Sequence, residues 1–298
     1  MSNSQISAPS GKIIIAAMPA VFVFFWSTGF VGAKFGLPYA EPATFLAYRF
    51  TIVSGILFAS ALFFKAGWPG SWRQALHIAV AGLLLQAVYL GGVFYSIWLG
   101  VDAGVSALIA GLQPLLVAVL AGPLLGERIS RRQWLGFFLG LLGVALVIWR
   151  KLDIGSGTPV GMLLSFLALV GITVGTLYQK KYCAHMDLRT GTAIQAAVTA
   201  LAMWALSFLV ETRVVAWTPE FIGALIWLCL VLSFGAFILL VYLIRRGEAA
   251  RVSSLFFLVP PCTALVSFFL FDETFGPLAL LGMAIAVAGV ALVNSERR

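Results

Sequence analysis

The sequence predicts an all-α integral membrane protein: ten transmembrane helices in two five-helix repeats of inverted topology. Three features carry this reading. The first is composition: of 298 residues 61% are hydrophobic and 10% charged, against roughly 45–50% and about 25% in soluble domains, and the mean hydropathy is +1.04. The second is the spacing of the charges, which leaves ten uncharged stretches of 15 residues or more. A membrane-spanning helix needs about 20 mostly apolar residues. The third is a repeat of the first half of the chain in the second, with an odd number of spans in each. Together they exclude an ordinary soluble enzyme and a disordered chain. The runs are also too long, and alternate too little, for the strands of a β-barrel.

The spans follow in order. A polar tail, 1–12, holds one basic residue, Lys12, and precedes the apolar run 13–33. The tail lacks the basic start of a signal peptide and the run exceeds an ordinary signal core, so an uncleaved first helix is expected. The second run, 50–64, extends back to 42 once Arg49 is admitted inside the span. The runs 74–101, 103–126 and 133–149 complete a first repeat, 13–150. A linker, 151–158, leads to a second repeat, 159–295, with runs 154–179, 190–210, 221–244, 252–271 and 274–295, and a tail, 296–298.

Lysine and arginine set the orientation. With the N-terminus cytoplasmic, fourteen of the 19 basic residues fall in inside segments and four (Lys34, Arg150, Lys151 and Arg213) in outside loops; Arg49 lies within a span. A multi-pass protein of the cytoplasmic (inner) membrane with both termini cytoplasmic is expected. The net charge of +8 is therefore a sided pattern rather than a nucleic-acid-binding patch. The three cysteines, Cys183, Cys229 and Cys262, are far apart and show no CxxC spacing. No metal site, cofactor or catalytic constellation is indicated, and neither a Walker A loop nor a GxSxG or HExxH motif occurs.

The repeat is visible residue by residue. A shift of 147 brings Tyr95 onto Tyr242, Ser106 onto Ser253 and Pro114 onto Pro261. A shift of 146 brings Lys34 onto Lys180, Thr44 onto Thr190, Glu127 onto Glu273, and Gly143-Val144-Ala145-Leu146-Val147 onto Gly289-Val290-Ala291-Leu292-Val293. Five spans per repeat make the second half enter the membrane from the opposite side, the pattern of many secondary transporters. Ancestral duplication without transport is the alternative.

These residues resemble the EamA family of the drug/metabolite transporter superfamily over nearly the whole chain. The resemblance rests on Trp26-Ser27-Thr28-Gly29-Phe30 with Lys34, and on Ala47-Tyr48-Arg49-Phe50. It continues in Ser106-Ala107-Leu108-Ile109, Pro114, Gly126-Glu127-Arg128-Ile129-Ser130, Gly136 and Gly143. The second half repeats this as Ser253-Ser254-Leu255, Pro261, Asp272-Glu273-Thr274, Gly282 and Gly289. The segment Trp26-Ser27-Thr28 departs from the family's Trp-Gly. The resemblance implies ten helices, cytoplasmic termini and efflux of small metabolites, often amino acids or amphipathic compounds. It also implies a cavity between the first, third and fourth helices of each repeat.

Candidate cargo contacts follow from depth and chemistry. Arg49 is the one charge well inside a span, where a charge is costly and marks function by default. Snorkelling or pairing with Glu41 or helix carbonyls is the competing account. Gln86 and Tyr89 share a helical face, as do Ser106 and Gln113. Thr173, Tyr178, Ser233, Tyr242 and Ser253 add neutral polar groups near mid-span, and Trp26 and Phe30 an aromatic wall. Interhelical hydrogen bonds and interfacial belts are the plainer uses of these residues. Pro114, Pro260 and Pro261 break or kink their helices, either to shape a cavity or as static packing. Glu127 and Glu273 close equivalent helices, as boundary or gate residues. Gly136, Gly140 and Gly143, with Gly282, Ala286 and Gly289, form small-residue faces for packing within one chain or between two, so monomer and homodimer both stand. The partners expected are a small-molecule cargo and the lipid bilayer, with no nucleic acid. Three functions remain: export of small neutral or zwitterionic metabolites such as amino acids; export of lipophilic drugs or cations; and a non-transport membrane sensor or enzyme.

Overall fold

In the computed structural model the described residues are 9–101, 103–149, 158–262, 265–266 and 276–295. They form ten helical rods and, apart from one isolated bridge between Ala40 and Val215, no strand pairing. The rods are α1 (Pro9–Gly36), α2 (Pro42–Phe63), α3 (Trp72–Trp98), α4 (Ala103–Ala110 and Gln113–Leu125) and α5 (Arg131–Ile148). After them come α6 (Pro159–Tyr182), α7 (Leu188–Val210), α8 (Pro219–Arg246), α9 (Ala249–Cys262) and α10 (Pro277–Asn294). Six of these (α2, α3, α6, α7, α8 and α10) are long and apolar enough to cross a membrane, and α1, α4 and α9 contribute shorter apolar stretches.

Local chemistry sets the boundaries. Proline stands in the first turn of α2, α6, α8 and α10, where its missing N–H costs nothing. Side chains cap other starts: Ser130 and Gln133 form a reciprocal capping box on α5, Thr158 accepts from Gly161 N at 3.0 Å, and Asp187 accepts from Arg189 N at 2.8 Å. Gly126, at φ +73°, closes α4 in the left-handed conformation that glycine adopts without strain.

Four rods are not simple α-helices. In α3 the stretch Leu83–Val88, and in α8 the stretch Leu228–Phe237, is wound as π-helix. A shift of 147 carries the first onto the second. α4 is interrupted at Gly111 and Leu112, so Pro114 sits in the first turn of a new helix rather than inside a continuous one. α9 passes through a 3-10 turn, Leu255–Leu258, just ahead of Pro260 and Pro261. Proline disfavours a helical conformation in the residue before it and cannot donate to the preceding turn, which accounts for both interruptions.

Packing has a two-fold logic. α2 packs along α7, α5 along α10 and α4 against α9. α1 packs on α8 as α6 does on α3; α2 touches α8 as α7 touches α3; α1 meets α9 as α6 meets α4. Exchanging the first five rods with the last five carries these contacts onto one another, whereas α5 with α9 and α6 with α8 are more extensive than their exchanged counterparts. The α5–α10 pair is held by glycines. A Cβ on Gly289 would lie 2.5 Å from Gly140 N and 2.6 Å from Gly136 O, and one on Gly143 2.6 Å from Gly282 O. The small-residue faces therefore pack within one chain. The outward surface is apolar, with Phe63 and Leu209 each 80% exposed, a face that requires lipid rather than water.

Candidate functional site

A cleft with about 730 Å³ of empty space, counting the part open to solvent, lies between α1, α2, α3, α7 and α8. Helical spacing brings each wall to it. α1 supplies Trp26, Gly29 and Ala33, α2 supplies Arg49, Phe50, Val53 and Leu57, and α7 supplies Thr192 and Ala196. α3 contributes Gln86 and Tyr89, and α8 contributes Leu232, Ser233 and Phe237. Gln86 and Ser233 occupy matching places under the shift of 147, each on a π-helical stretch, a distortion that recurs at functional sites. Contributions from α2 and α7, and none from α4, α6 or α9 among the described residues, distinguish this cleft from the cavity that the sequence resemblance implies.

The wall is mostly apolar and aromatic. Trp26 stacks on Tyr89, with ring centroids 6.3 Å apart at 14°, and meets Phe22 and Phe256 edgewise or tilted, each at 5.3 Å. Gly29 is the close-approach point between the halves: a Cβ there would overlap the Leu232 side chain. Arg49, 3% exposed, is the one charged residue among the described lining. Its Nε donates to Ser233 Oγ at 3.1 Å, across the two halves of the chain, and its guanidinium lies 5.1 Å from the Phe50 ring centroid. Its Nη1 is buried without a hydrogen-bond partner, as is Gln86 Oε1. Among the described residues no carboxylate pairs with Arg49. Glu41, the neighbour in sequence, instead accepts from Thr212 N at 2.7 Å, Thr212 Oγ1 at 2.6 Å and Arg213 N at 3.2 Å.

Five of the sequence candidates therefore meet in the cleft: Trp26, Arg49, Gln86, Tyr89 and Ser233. The side chain of Phe30 lies outside the described residues, as does Glu273. The others are engaged elsewhere. Ser106 Oγ accepts from Ser165 Oγ at 3.2 Å. Gln113 Nε2 donates to Ser253 Oγ at 3.0 Å, joining α4 to α9. Thr173 bonds back to Leu169 O at 2.7 Å. Tyr178 Oη meets His77 Nδ1 at 2.6 Å, and the Tyr242 ring faces Arg246 at 4.7 Å. Glu127 accepts from Ala249 N at 2.7 Å and Ala250 N at 3.3 Å, so it caps the start of α9.

One residue outside the sequence candidates does related work at the other end of the bundle. Glu211, after α7, accepts from Ala43 N, Thr44 N and Thr44 Oγ1, each at 2.7 Å, and from Tyr95 Oη. It satisfies the free N–H groups of α2, whose own N-cap, Glu41, makes no side-chain cap bond. A sequence signal for it exists: an acid ends one helix while another opens on Pro42-Ala43-Thr44 with donors to spare.

Comparison with known proteins agrees with this architecture. The EamA-like transporter family matches residues 12–149 and again 159–295. The "Uncharacterized transporter YvbV" of Bacillus subtilis (strain 168) is 26% identical, over 96% of this chain and 93% of that protein. A "Probable amino-acid metabolite efflux pump" of Escherichia coli (strain K12) is 25% identical, over 90% of each. A crystal structure at 21% identity superposes with a TM-score of 0.78, covering 93% of this chain and 95% of the other, and so shares the fold. Family and relatives are transporters rather than enzymes. Matched once in each half by the same family model, and built of apolar helices throughout, the chain belongs to the EamA-like transporter family.

Proposed function

We propose that this protein is a secondary transporter that exports small neutral or zwitterionic metabolites, such as amino acids, across the cytoplasmic membrane by alternating access. Its ten rods are ten spans in two inverted five-helix repeats, with both termini cytoplasmic. The exchange symmetry of the packing supports the repeat, and the sided distribution of lysine and arginine supports the orientation. Two similar halves facing opposite ways give inward-open and outward-open states of similar energy, and rocking about a central site exposes it to each side in turn. The amino-acid cargo draws further support from the Escherichia coli relative's name.

The observation that carries the reading is the cleft between the halves, where Arg49 of the first repeat meets Ser233 of the second. A contact of this kind must break or rearrange when the halves rock. Counterflow in proteoliposomes tests the function. Vesicles loaded with an unlabelled compound are expected to take up the labelled one saturably for at least one member of an amino-acid panel. No saturable flux of any metabolite, drug or dye, with the protein correctly inserted, overturns it. Flux confined to lipophilic cations would instead favour drug export.

A further inference from the structure

Two polar atoms in the cleft lack partners, and they are of opposite kinds. Arg49 Nη1 is a charged donor and Gln86 Oε1 is an acceptor; both are buried, and both residues line the cleft. The amides of Gln113 and Gln195 also have an unpartnered oxygen, but they stand outside the cleft, and their nitrogens are committed to Ser253 and Gln179. A buried donor or acceptor left unmade costs free energy, most of all when it is charged. That cost is relieved when a bound molecule brings the complementary group. Nε is held by Ser233 and the guanidinium carbon lies 5.1 Å from the Phe50 ring centroid, while Nη1 is a buried donor without a partner.

Resting on the transport reading above, we infer that the cleft is a two-pole site in which Arg49 Nη1 takes the carboxylate of the cargo and Gln86 Oε1 takes its ammonium. Trp26 and Tyr89 receive the apolar side chain. The cargo is then an α-amino carboxylate with an apolar or aromatic body. A charge-assisted bond to a carboxylate is the strong pole; the amide oxygen is the weaker one, suited to an ammonium already neutralised by the adjacent carboxylate. A lipophilic amine lacks the anion and would be buried beside the like charge of Arg49, with no described lining carboxylate to offset it. Specificity arises from that repulsion as much as from the attraction.

The test is a matched ligand series on the full protein: phenylalanine, leucine and methionine, each with its decarboxylated amine and its N-acetyl derivative. Two readouts are used, ligand-induced thermal shift in detergent and inhibition of counterflow. The wild type is expected to prefer the amino acids at least about tenfold over both derivatives, the span of one charged hydrogen bond. In Arg49→Gln the preference over the amine is expected to collapse to within about threefold. In Gln86→Leu the preference over the N-acetyl form is expected to collapse similarly, with that over the amine retained. The crossed pattern is one that misfolding cannot produce. Equal wild-type recognition of amino acid and amine, no recognition of any of the amino acids, or loss of both preferences together in Gln86→Leu, overturns the assignment. If other compounds are still transported in those cases, the two-pole site fails and the transport reading stands. If nothing is transported or bound, both fail.

Discussion

Arg49 and Glu211 are the two charges the fold treats most carefully, and they are treated oppositely. Glu211 is saturated: two backbone N–H groups, a threonine and a tyrosine hydroxyl surround its carboxylate at the start of α2. Arg49 is left with a free donor. Saturation marks a structural charge; the unpartnered donor of Arg49 is the group on which the proposed cargo contact rests. The Glu211→Ala variant should therefore lower stability by about 2 kcal/mol or more, since hydrogen bonds to charged groups each contribute about 1.5–3 kcal/mol, and a helix N-terminus favours an anion. Thermal unfolding in detergent reads this, with Glu211→Gln expected to fall between Glu211→Ala and wild type. An unchanged melting temperature in Glu211→Ala would refute the structural role. Arg49, Gln86 and Tyr89 are legible in the sequence because polar groups inside an apolar run stand out. Ser106, Gln113 and Ser253 stand out in the same way, yet they bond one another or a neighbouring helix outside the cleft. Sequence alone does not separate a polar residue that lines the cleft from one that joins two helices elsewhere.

At the scale of elements, charge spacing locates the helices well: the second run, 42–64, is α2 almost to the residue. It does not reveal the π-helical stretches of α3 and α8, because an extra residue per turn leaves the apolar composition unchanged. Nor does it reveal that α2 and α7 line the cleft, since Val53, Leu57 and Ala196 read the same whether they face lipid, a neighbour or a cavity. Glycine spacing is more informative. Gly136, Gly140 and Gly143 meet Gly282, Ala286 and Gly289 backbone to backbone. Gly289→Val should destabilise by about 2 kcal/mol or more, because the added carbons meet backbone atoms that cannot rotate away. Gly55, with nothing within 4 Å of its Cβ position, provides the contrast: Gly55→Ala should leave stability unchanged or raise it by up to about 1 kcal/mol. Similar melting temperatures for the two variants would contradict the α5–α10 packing.

At the scale of the whole molecule, the repeat explains both the symmetry and where it is broken. Thr44 and Thr190 correspond, yet Thr44 donates to the Glu211 carboxylate while Thr190 donates to Gly67 O at 2.7 Å. Arg49 and Gln195 correspond, yet Arg49 lines the cleft while Gln195 bonds Gln179 at 2.7 Å. The backbone plan is duplicated and the chemistry is not, so the described lining of the cleft carries one charged residue although the scaffold has two halves. If this cleft is the path through the membrane, its walls must open to each side in turn. Ala196, on the α7 wall, reads that opening as Ala196→Cys in a protein whose Cys183, Cys229 and Cys262 have been replaced by serine. A membrane-impermeant maleimide should label the introduced thiol from either face of sealed vesicles of known orientation, and transported amino acid should slow that labelling. Labelling from neither face, or from one face alone under all conditions, would contradict alternating access through this cleft.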